Sequence, residues 1–140
     1  MNNNNKPYRN IPGTTVFDGE MARIGFHLNQ FCMSLMKEAN RKTFKQNERA
    51  YLDKWRMTEA QKSAVLARDF NQLIALGGNI YYLVKISSSD GLSVAAAVST
   101  MTNLTTEEYI EMMRCGGRSP EGNRFIDAKQ YEDKKPEEKQ

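Results

Sequence analysis

Apolar side chains recur at spacings of three, four and seven residues along much of the chain, which is the period expected of helices with one buried face. The clearest stripe follows Asp18, a residue type that can cap the start of a helix. This stripe consists of Met21, Ile24, Leu28, Phe31, Cys32, Leu35 and Met36. The pattern predicts a first, continuous helix whose apolar face is buried.

Two later helices are indicated by capping boxes, in which a threonine is followed three residues later by Glu or Gln. Thr58 with Gln61 opens one of them, and Thr105 with Glu108 opens the last. Each is predicted to end at a glycine pair, because glycine readily adopts the left-handed conformation that closes a helix. The apolar side of the first of these helices is formed by Leu66, Phe70, Leu73 and Ile74.

The segment between these two helices is less uniform. The piece "NIYYLVKI" (79–86) contains β-branched and aromatic residues that would suit a strand. The chain offers no second strand to pair with it, so a helix is predicted instead. The piece "SSSDG" (87–91) is predicted to be a serine-rich break, and "LSVAAAVSTM" (92–101) is predicted to be a helix with small side chains.

These elements predict an all-α fold with a single compact helical domain of about six or seven helices over residues 11–126. Residues 1–10 are rich in asparagine and residues 127–140 are charged, so both ends are expected to be disordered. The stretches "IPGTTVF" (11–17) and "GGRSPEGNRF" (116–125) are predicted to be extended arms. Either they wrap this same domain or they lie on a partner.

The chain has 140 residues and a net charge of +3. Between Lys37 and Arg56, seven Lys or Arg residues are interleaved with three acids, as on a solvated helix surface, which argues against binding to nucleic acid. No apolar run approaches the roughly 20 residues of a membrane span, so no membrane is expected among the partners. Cys32 and Cys115 lie far apart in sequence, which indicates a reducing compartment, and a cytoplasmic location is predicted.

The available side chains limit the chemistry of the chain. His27 is its only histidine, whereas a zinc or iron site needs three or four ligands from His, Cys and carboxylates. Neither a metal site nor a catalytic group is therefore predicted. Cys32 lies five residues later, on a different part of the helix surface, so a His–Cys pair is not expected. We interpret His27 as a packing or surface residue and Cys32 as core, in preference to an acid–base group and a reactive thiol.

Two features favour a protein that docks on a partner. The stretch "SSSDGLSVAAA" (87–97) joins an acid–glycine turn to small side chains, which allow a ligand or another backbone to approach closely. The two arms carry apolar and arginine anchors of the kind found at interfaces. The predicted interface residues are Pro12, Phe17, Arg118, Pro120, Arg124 and Phe125.

The chain resembles the small alpha subunits of protocatechuate 4,5-dioxygenases, which are class III extradiol ring-cleavage enzymes. The resemblance rests on long strings in the same order and spacing: "IPGTTVFD", "GFHLNQFCMSLMKEANRKTF", "AYLDKW", "VLARDFNQLIALGGNIYYLVKI", "SSDGLS", "MTNLTTEEYIEMM" and "GGRSPEGNRF". It covers residues 11–125 and leaves only the two ends outside.

The resemblance implies an all-helical subunit that pairs with a larger beta subunit in a heterotetramer. In that family the beta subunit holds Fe(II) on two histidines and one carboxylate and binds a catechol-type aromatic acid and O2. The implied reaction converts protocatechuate and O2 into 4-carboxy-2-hydroxymuconate semialdehyde. This chain alone is expected to be inactive, and its implied role is to cover the pocket, exclude water and shape the site.

By the same resemblance, Asp90, Gly91, Ser93 and Val94 are expected to form a lid that faces the entrance of the active site. Relatives place a bulky aromatic residue where this chain has Val94. A smaller side chain leaves more room, so gallate or a methoxylated catechol acid is an alternative substrate. A standalone helical binding module without oxygenase activity is a further alternative, and it predicts a stable monomer that is indifferent to a beta subunit.

Overall fold

The computed structural model describes residues 6–11 and 13–119. Within these ranges the chain forms nine α-helices and no β-strand, so the predicted all-α fold is confirmed. The number of helices exceeds the predicted six or seven, because two of the predicted helices are each divided in two. The helices are α1 (Gly19–Ile24), α2 (Phe26–Ser34), α3 (Glu38–Gln46), α4 (Glu48–Leu52), α5 (Glu59–Ala67), α6 (Phe70–Ala75), α7 (Ile80–Ser89), α8 (Val94–Ser99) and α9 (Thr106–Arg114). Among the residues described, no helix has both the length and the apolar character needed to cross a bilayer.

The chain divides into two units. Residues 17–118 form one compact unit, which contains all nine of the described α-helices. The other unit comprises the residues on either side, and its described part contains a 3₁₀ helix, Pro7–Asn10, where no regular structure was expected. The predicted boundaries of the helical domain, 11–126, stay a prediction, because its last residues lie outside the described ranges.

Gly25 divides the predicted first helix into α1 and α2. Asp18 caps α1 as predicted, because its Oδ1 accepts a hydrogen bond from the Met21 N–H at 3.0 Å. At Gly25 the chain bends so close to Gly77 that a Cβ built on Gly25 would overlap the Gly77 carbonyl and lie 2.8 Å from its Cα. The prediction of one continuous helix is wrong, because the backbone of Gly25, with a φ of −91° and a ψ of 7°, departs from helical geometry between α1 and α2. The contact with Gly77 leaves no room for a side chain, which explains why the residue at the break is glycine.

Arg68 divides the second predicted helix into α5 and α6. Its φ of 54° and ψ of 35° place it in the left-handed region, which ends α5. Asp69 then caps α6 by accepting a hydrogen bond from the Gln72 N–H at 3.1 Å. Leu66 is exposed, although its spacing placed it on the apolar side with Phe70. The prediction of a single helix is therefore wrong here. The break was missed because neither glycine nor proline marks it in the sequence.

α7 includes the serines that were predicted to form a break. The apolar piece before them is helical as predicted, with Leu83 and Ile86 fully buried. The Ser87 and Ser89 hydroxyls donate to carbonyls three residues earlier, at 2.7 and 2.6 Å. These hydrogen bonds satisfy the hydroxyls within the helix, so the serines extend α7 instead of ending it. The break is therefore confined to residues 90–93.

Both predicted capping boxes are confirmed. The Gln61 N–H donates to Thr58 Oγ1 at 3.1 Å, and the Thr58 N–H donates to Gln61 Oε1 at 3.0 Å. Thr105 and Glu108 form the same reciprocal pair at the start of α9, with distances of 2.9 and 3.2 Å. Each box satisfies backbone N–H groups that the first turn of a helix leaves without partners. α5 and α9 therefore begin where the threonines predict.

The core of the compact unit is centred on aromatic side chains from α2, α3 and α4. The Phe31 ring meets the rings of Phe44 and Tyr51 edge to face, with centroids 5.3 and 6.0 Å apart. On another side, α2 packs against α7. Cys32 is fully buried in this core, as predicted, and burial raises the pKa of its thiol. Of the predicted apolar stripe, Leu28, Phe31, Cys32 and Leu35 are buried as expected. Ile24 and Met36 are exposed, so the prediction is wrong for these two residues.

Candidate functional site

The turn between α7 and α8 contains the predicted lid residues. Asp90 ends α7, and Gly91 follows with a φ of 74°, which glycine adopts without strain. The Gly91 N–H donates to the Ser88 carbonyl at 3.0 Å. The Leu92 N–H donates to the Ser87 carbonyl at 2.9 Å, a closure typical of helices that end in a left-handed residue. The turn is therefore held by backbone hydrogen bonds.

Ser93 and Val94 begin α8 at the far side of this turn. The Ser93 Oγ accepts a hydrogen bond from the Ala96 N–H at 3.1 Å, so the serine caps the helix. Val94 follows and is 57% exposed, and Leu92 on the other side of the serine is also exposed. A well-defined turn thus presents two exposed aliphatic side chains.

Val94 also lines a groove between α8 and α9 with a volume of about 450 Å³. The Ser99 and Thr106 hydroxyls, 3.1 Å apart, connect the two helices. Within the described structure none of the residues of α9 is buried, although the helix has an apolar side. The groove is lined by Val94, Ala95 and Val98 from α8 and by Tyr109, Ile110, Met113 and Arg114 from α9. It therefore leaves an apolar face of α9 open to a partner.

The Asp90 carboxylate faces its own chain. Its Oδ2 accepts a hydrogen bond from Arg68 Nε at 2.7 Å, and its Oδ1 accepts one from Arg68 Nη2 at 3.0 Å. The Lys45 ammonium also pairs with Oδ1. The Asp90 side chain is only 16% exposed, whereas the other three predicted lid residues are exposed. Asp90 thus anchors the turn, and the exposed members of the predicted lid follow it.

The charges around Asp90 stabilise its ionised form. Partial burial acts to raise the pKa of Asp90, but hydrogen bonds from Arg68 and Lys45 outweigh burial and hold the pKa below its ordinary value. Burial acts to lower the pKa of Arg68, and hydrogen bonds to Asp90 and Glu48 raise it overall. Both partners are therefore charged at neutral pH, where the ion pair is intact.

The predicted interface residues are described only in part. Phe17 and Arg118 are exposed, as contact residues of a free subunit must be. The interface assignment stays a prediction for all six residues. Outside the described residues lie Pro12, Pro120, Arg124 and Phe125.

His27 and Cys32 are both packed residues. The His27 ring is half-buried and meets the Phe26 ring edge to face, with centroids 5.2 Å apart. Cys32 lies in the core, and Cys115 is exposed at the end of α9, with both thiols free. Among the residues that the structure describes, no three His, Cys, Asp or Glu side chains are grouped so that they could hold a metal ion. The half-buried His27 ring agrees with its interpretation as a packing or surface residue.

The sequence analysis did not predict two parts of this site. The first is the α9 wall of the groove, where the available signal was the helical spacing of Tyr109, Ile110 and Met113. The second is Arg68, which lies 22 residues before its partner Asp90. No local pattern in the sequence indicates a pairing over that separation.

A comparison with protein families bears on the whole of this site. The family model described as "Aromatic-ring-opening dioxygenase LigAB, LigA subunit" matches residues 28–114, which is more than half of the chain. The match begins within α2 and ends with the last residue of α9. It therefore includes Arg68, the turn between α7 and α8, and both walls of the groove.

Proposed function

The chain belongs to the LigA subunit family of aromatic-ring-opening dioxygenases, and we propose that it covers and shapes an active site held by a separate beta subunit. It is accordingly a subunit of an extradiol ring-cleavage dioxygenase of the protocatechuate 4,5-dioxygenase type. The observation that carries the proposal is the family match over residues 28–114. The proposed assembly contains two copies of each subunit and works in the cytoplasm.

We propose that the Fe(II) of this enzyme is bound by the beta subunit. A non-haem Fe(II) site of the two-histidine, one-carboxylate type needs two imidazoles, and this chain has one histidine. That histidine, His27, packs against Phe26 in α2. When bound, the Fe(II) supplies the oxygen chemistry. The residues of this chain are proposed to line the pocket around the Fe(II) and the substrate.

The role proposed for this chain is to exclude water and to limit the space beside the substrate. Val94 supports this role, because its exposed side chain can lie against an aromatic ring without leaving a polar group unpaired. The Ser93 cap and the closure at Gly91 fix the start of α8 before any partner binds. A lid that is already ordered loses little conformational entropy on assembly.

We infer that the groove between α8 and α9 receives the beta subunit. Its walls are mostly apolar. Exposing an apolar face to water is unfavourable, and burying it against a partner stabilises the complex. Val94 belongs both to the groove and to the predicted lid. A beta subunit that fills the groove would therefore contact Val94, which the lid prediction assigns to the entrance of the active site.

The proposed substrates are a catechol-type aromatic acid and O2. Protocatechuate is the first candidate because the family is of the protocatechuate 4,5-dioxygenase type, and ring opening would give 4-carboxy-2-hydroxymuconate semialdehyde. Gallate or a methoxylated catechol acid is the second candidate. It is favoured by the small side chain of Val94, since a wider pocket accepts a ring with an additional substituent.

Replacing Val94 with phenylalanine tests the lid and the substrate together. In the assembled enzyme, Val94→Phe is expected to change the ratio of kcat/KM for protocatechuate and gallate by about tenfold, because it fills space that the larger ring would use. Iron content should stay unchanged. O2 uptake with each substrate and metal analysis of the assembled enzyme measure the two quantities.

Ile24→Phe is the matched control, since Ile24 is also an exposed β-branched residue but lies at the end of α1. It should leave the substrate ratio as it is. Unchanged kinetics of Val94→Phe across several catechols would count against the lid assignment.

A further inference from the structure

We propose that Arg68 is a positioning residue for the turn between α7 and α8, and that through Asp90 it sets where Val94 lies at the shared active site. The inference rests on the proposed function, because the position of Val94 affects catalysis only if this chain works on a beta subunit. Arg68 acts through Asp90 and is therefore not a catalytic residue.

The Arg68 guanidinium holds Asp90 by a two-point contact. Nε donates to Oδ2 at 2.7 Å, and Nη2 donates to Oδ1 at 3.0 Å. Such a fork fixes orientation as well as distance, which a single point charge does not. Asp90 is the last residue before Gly91 turns the chain toward α8. A fixed carboxylate therefore fixes the point from which the lid starts.

Arg68 is in turn held from α3 and α4. Its Nη2 also donates to Glu48 Oε2 at 2.8 Å, and the Lys45 ammonium lies 3.4 Å from the same oxygen. The guanidinium carbon lies 5.6 Å from the centre of the fully buried Phe44 ring, as in a cation–π contact. The Arg68 side chain is only 23% exposed, so water and salt screen these interactions weakly. The turn is thereby connected to the core.

The backbone of Arg68 supplies an independent observation. Its φ of 54° is left-handed, a conformation that costs free energy for arginine and very little for glycine. Such a residue persists where the surrounding contacts determine its conformation. The contacts of the guanidinium with Asp90 and Glu48 offset the cost. The other described residues with positive φ are all glycines: Gly13, Gly77, Gly91, Gly116 and Gly117.

The test uses the assembled enzyme with Arg68→Gly. Glycine removes the guanidinium, which frees the turn between α7 and α8 from its contact with residue 68. Glycine also adopts the left-handed backbone without strain, which limits the loss of stability. We expect the KM for protocatechuate to rise about fivefold, with a smaller change in kcat, since a displaced lid spoils the productive geometry. The melting temperature should fall by only a few degrees, because relief of the left-handed backbone offsets part of the lost contacts. O2 uptake and circular dichroism supply the two readouts.

Two further variants separate positioning from general stability. Arg68→Lys keeps the charge but not the fork, so an intermediate KM is expected. Asp53→Asn is the matched control, because Asp53 accepts hydrogen bonds from Arg49 and Lys62 at 3.0 Å each, in an ion-pair cluster of α4 and α5. It should leave the KM unchanged. An equal rise in KM for Asp53→Asn and Arg68→Gly would overturn the inference.

Variants of Val94 distinguish failure of this inference from failure of the proposed function. If Arg68 acts through the lid, its effect on KM should shrink by at least about twofold in a Val94→Ala background, because residues that act on one site are not additive. An undiminished effect there would contradict the inference. A KM that responds to Val94→Phe but not to Arg68→Gly overturns the inference alone. A KM that responds to neither overturns the proposed lid.

Discussion

Replacing Gly25 with alanine is expected to destabilise the chain by more than about 4 kcal/mol and to prevent stable folding of the compact unit. The added Cβ would overlap the Gly77 carbonyl and lie 2.8 Å from its Cα. Both colliding groups belong to the backbone, so no side-chain rotation relieves the overlap. The helices on either side must move apart, which opens the core between them.

Buried and partly buried hydrogen bonds hold this corner together and resist such a movement. The Asn29 Nδ2 donates to the Gly77 carbonyl at 3.0 Å, and the Asn29 Oδ1 accepts from the Asn79 N–H at 2.9 Å. The Gln61 amide donates to the carbonyls of Ile24 and Leu76, at 3.2 and 3.0 Å. Moving the two chain segments apart would leave several of these groups buried without partners, which adds to the loss.

Gly19→Ala is the matched control for Gly25→Ala. Gly19 is the first residue of α1, and no described atom lies within 4 Å of a Cβ built on it. Alanine favours the helix by up to about 1 kcal/mol over glycine, so this variant should be as stable as the unchanged chain or more stable. Urea unfolding followed by circular dichroism compares the two variants. A Gly25→Ala chain that unfolds at the same urea concentration as Gly19→Ala would contradict the described contact.

Phe31→Ala is expected to destabilise the chain by about 4 kcal/mol, because it leaves a cavity among rings that cannot collapse into it. Phe31 is fully buried and meets Phe44, Tyr51 and Trp55 edge to face, with centroids 5.3 to 6.4 Å apart. These three rings come from different segments of the chain. The loss of one ring therefore weakens the contact between α2 and the segments that follow it.

The control for this substitution lies in the same helix. Phe26 is 53% exposed and packs on His27, so Phe26→Ala should cost less than about 1 kcal/mol. Thermal unfolding of both variants measures the difference. Equal losses of stability at the two positions would contradict the description of α2 as a helix with one buried face.

Local signals in the sequence were sufficient to predict most of the helices. Asp18, Thr58 and Thr105 each cap a helix where predicted, because a capping side chain acts on backbone groups only three residues away. The breaks at Gly25 and Arg68 were missed. Gly25 lies within a regular apolar stripe, and its reason for being glycine is a contact with a residue 52 positions later in the chain.

The candidate site was predicted only in part, because contacts between residues distant in sequence leave no local signal. Gly91, Ser93 and Val94 were identified by resemblance to a family, and the structure describes them as an exposed turn and helix start. Asp90 was expected beside them but serves as the anchor for Arg68. Pairings between distant residues depend on how the helices pack, which periodicity does not specify. The α9 wall of the groove was missed because its spacing also suits a helix packed in the core.

The most direct test of the proposed function is the rate of O2 uptake with protocatechuate, measured for this chain alone, for a candidate Fe(II)-loaded beta subunit alone, and for the mixture. We expect the highest rate in the mixture and none in this chain alone, since one histidine cannot complete a two-histidine iron site. Turnover by the isolated, homogeneous chain, with equimolar bound iron, would contradict the proposed function.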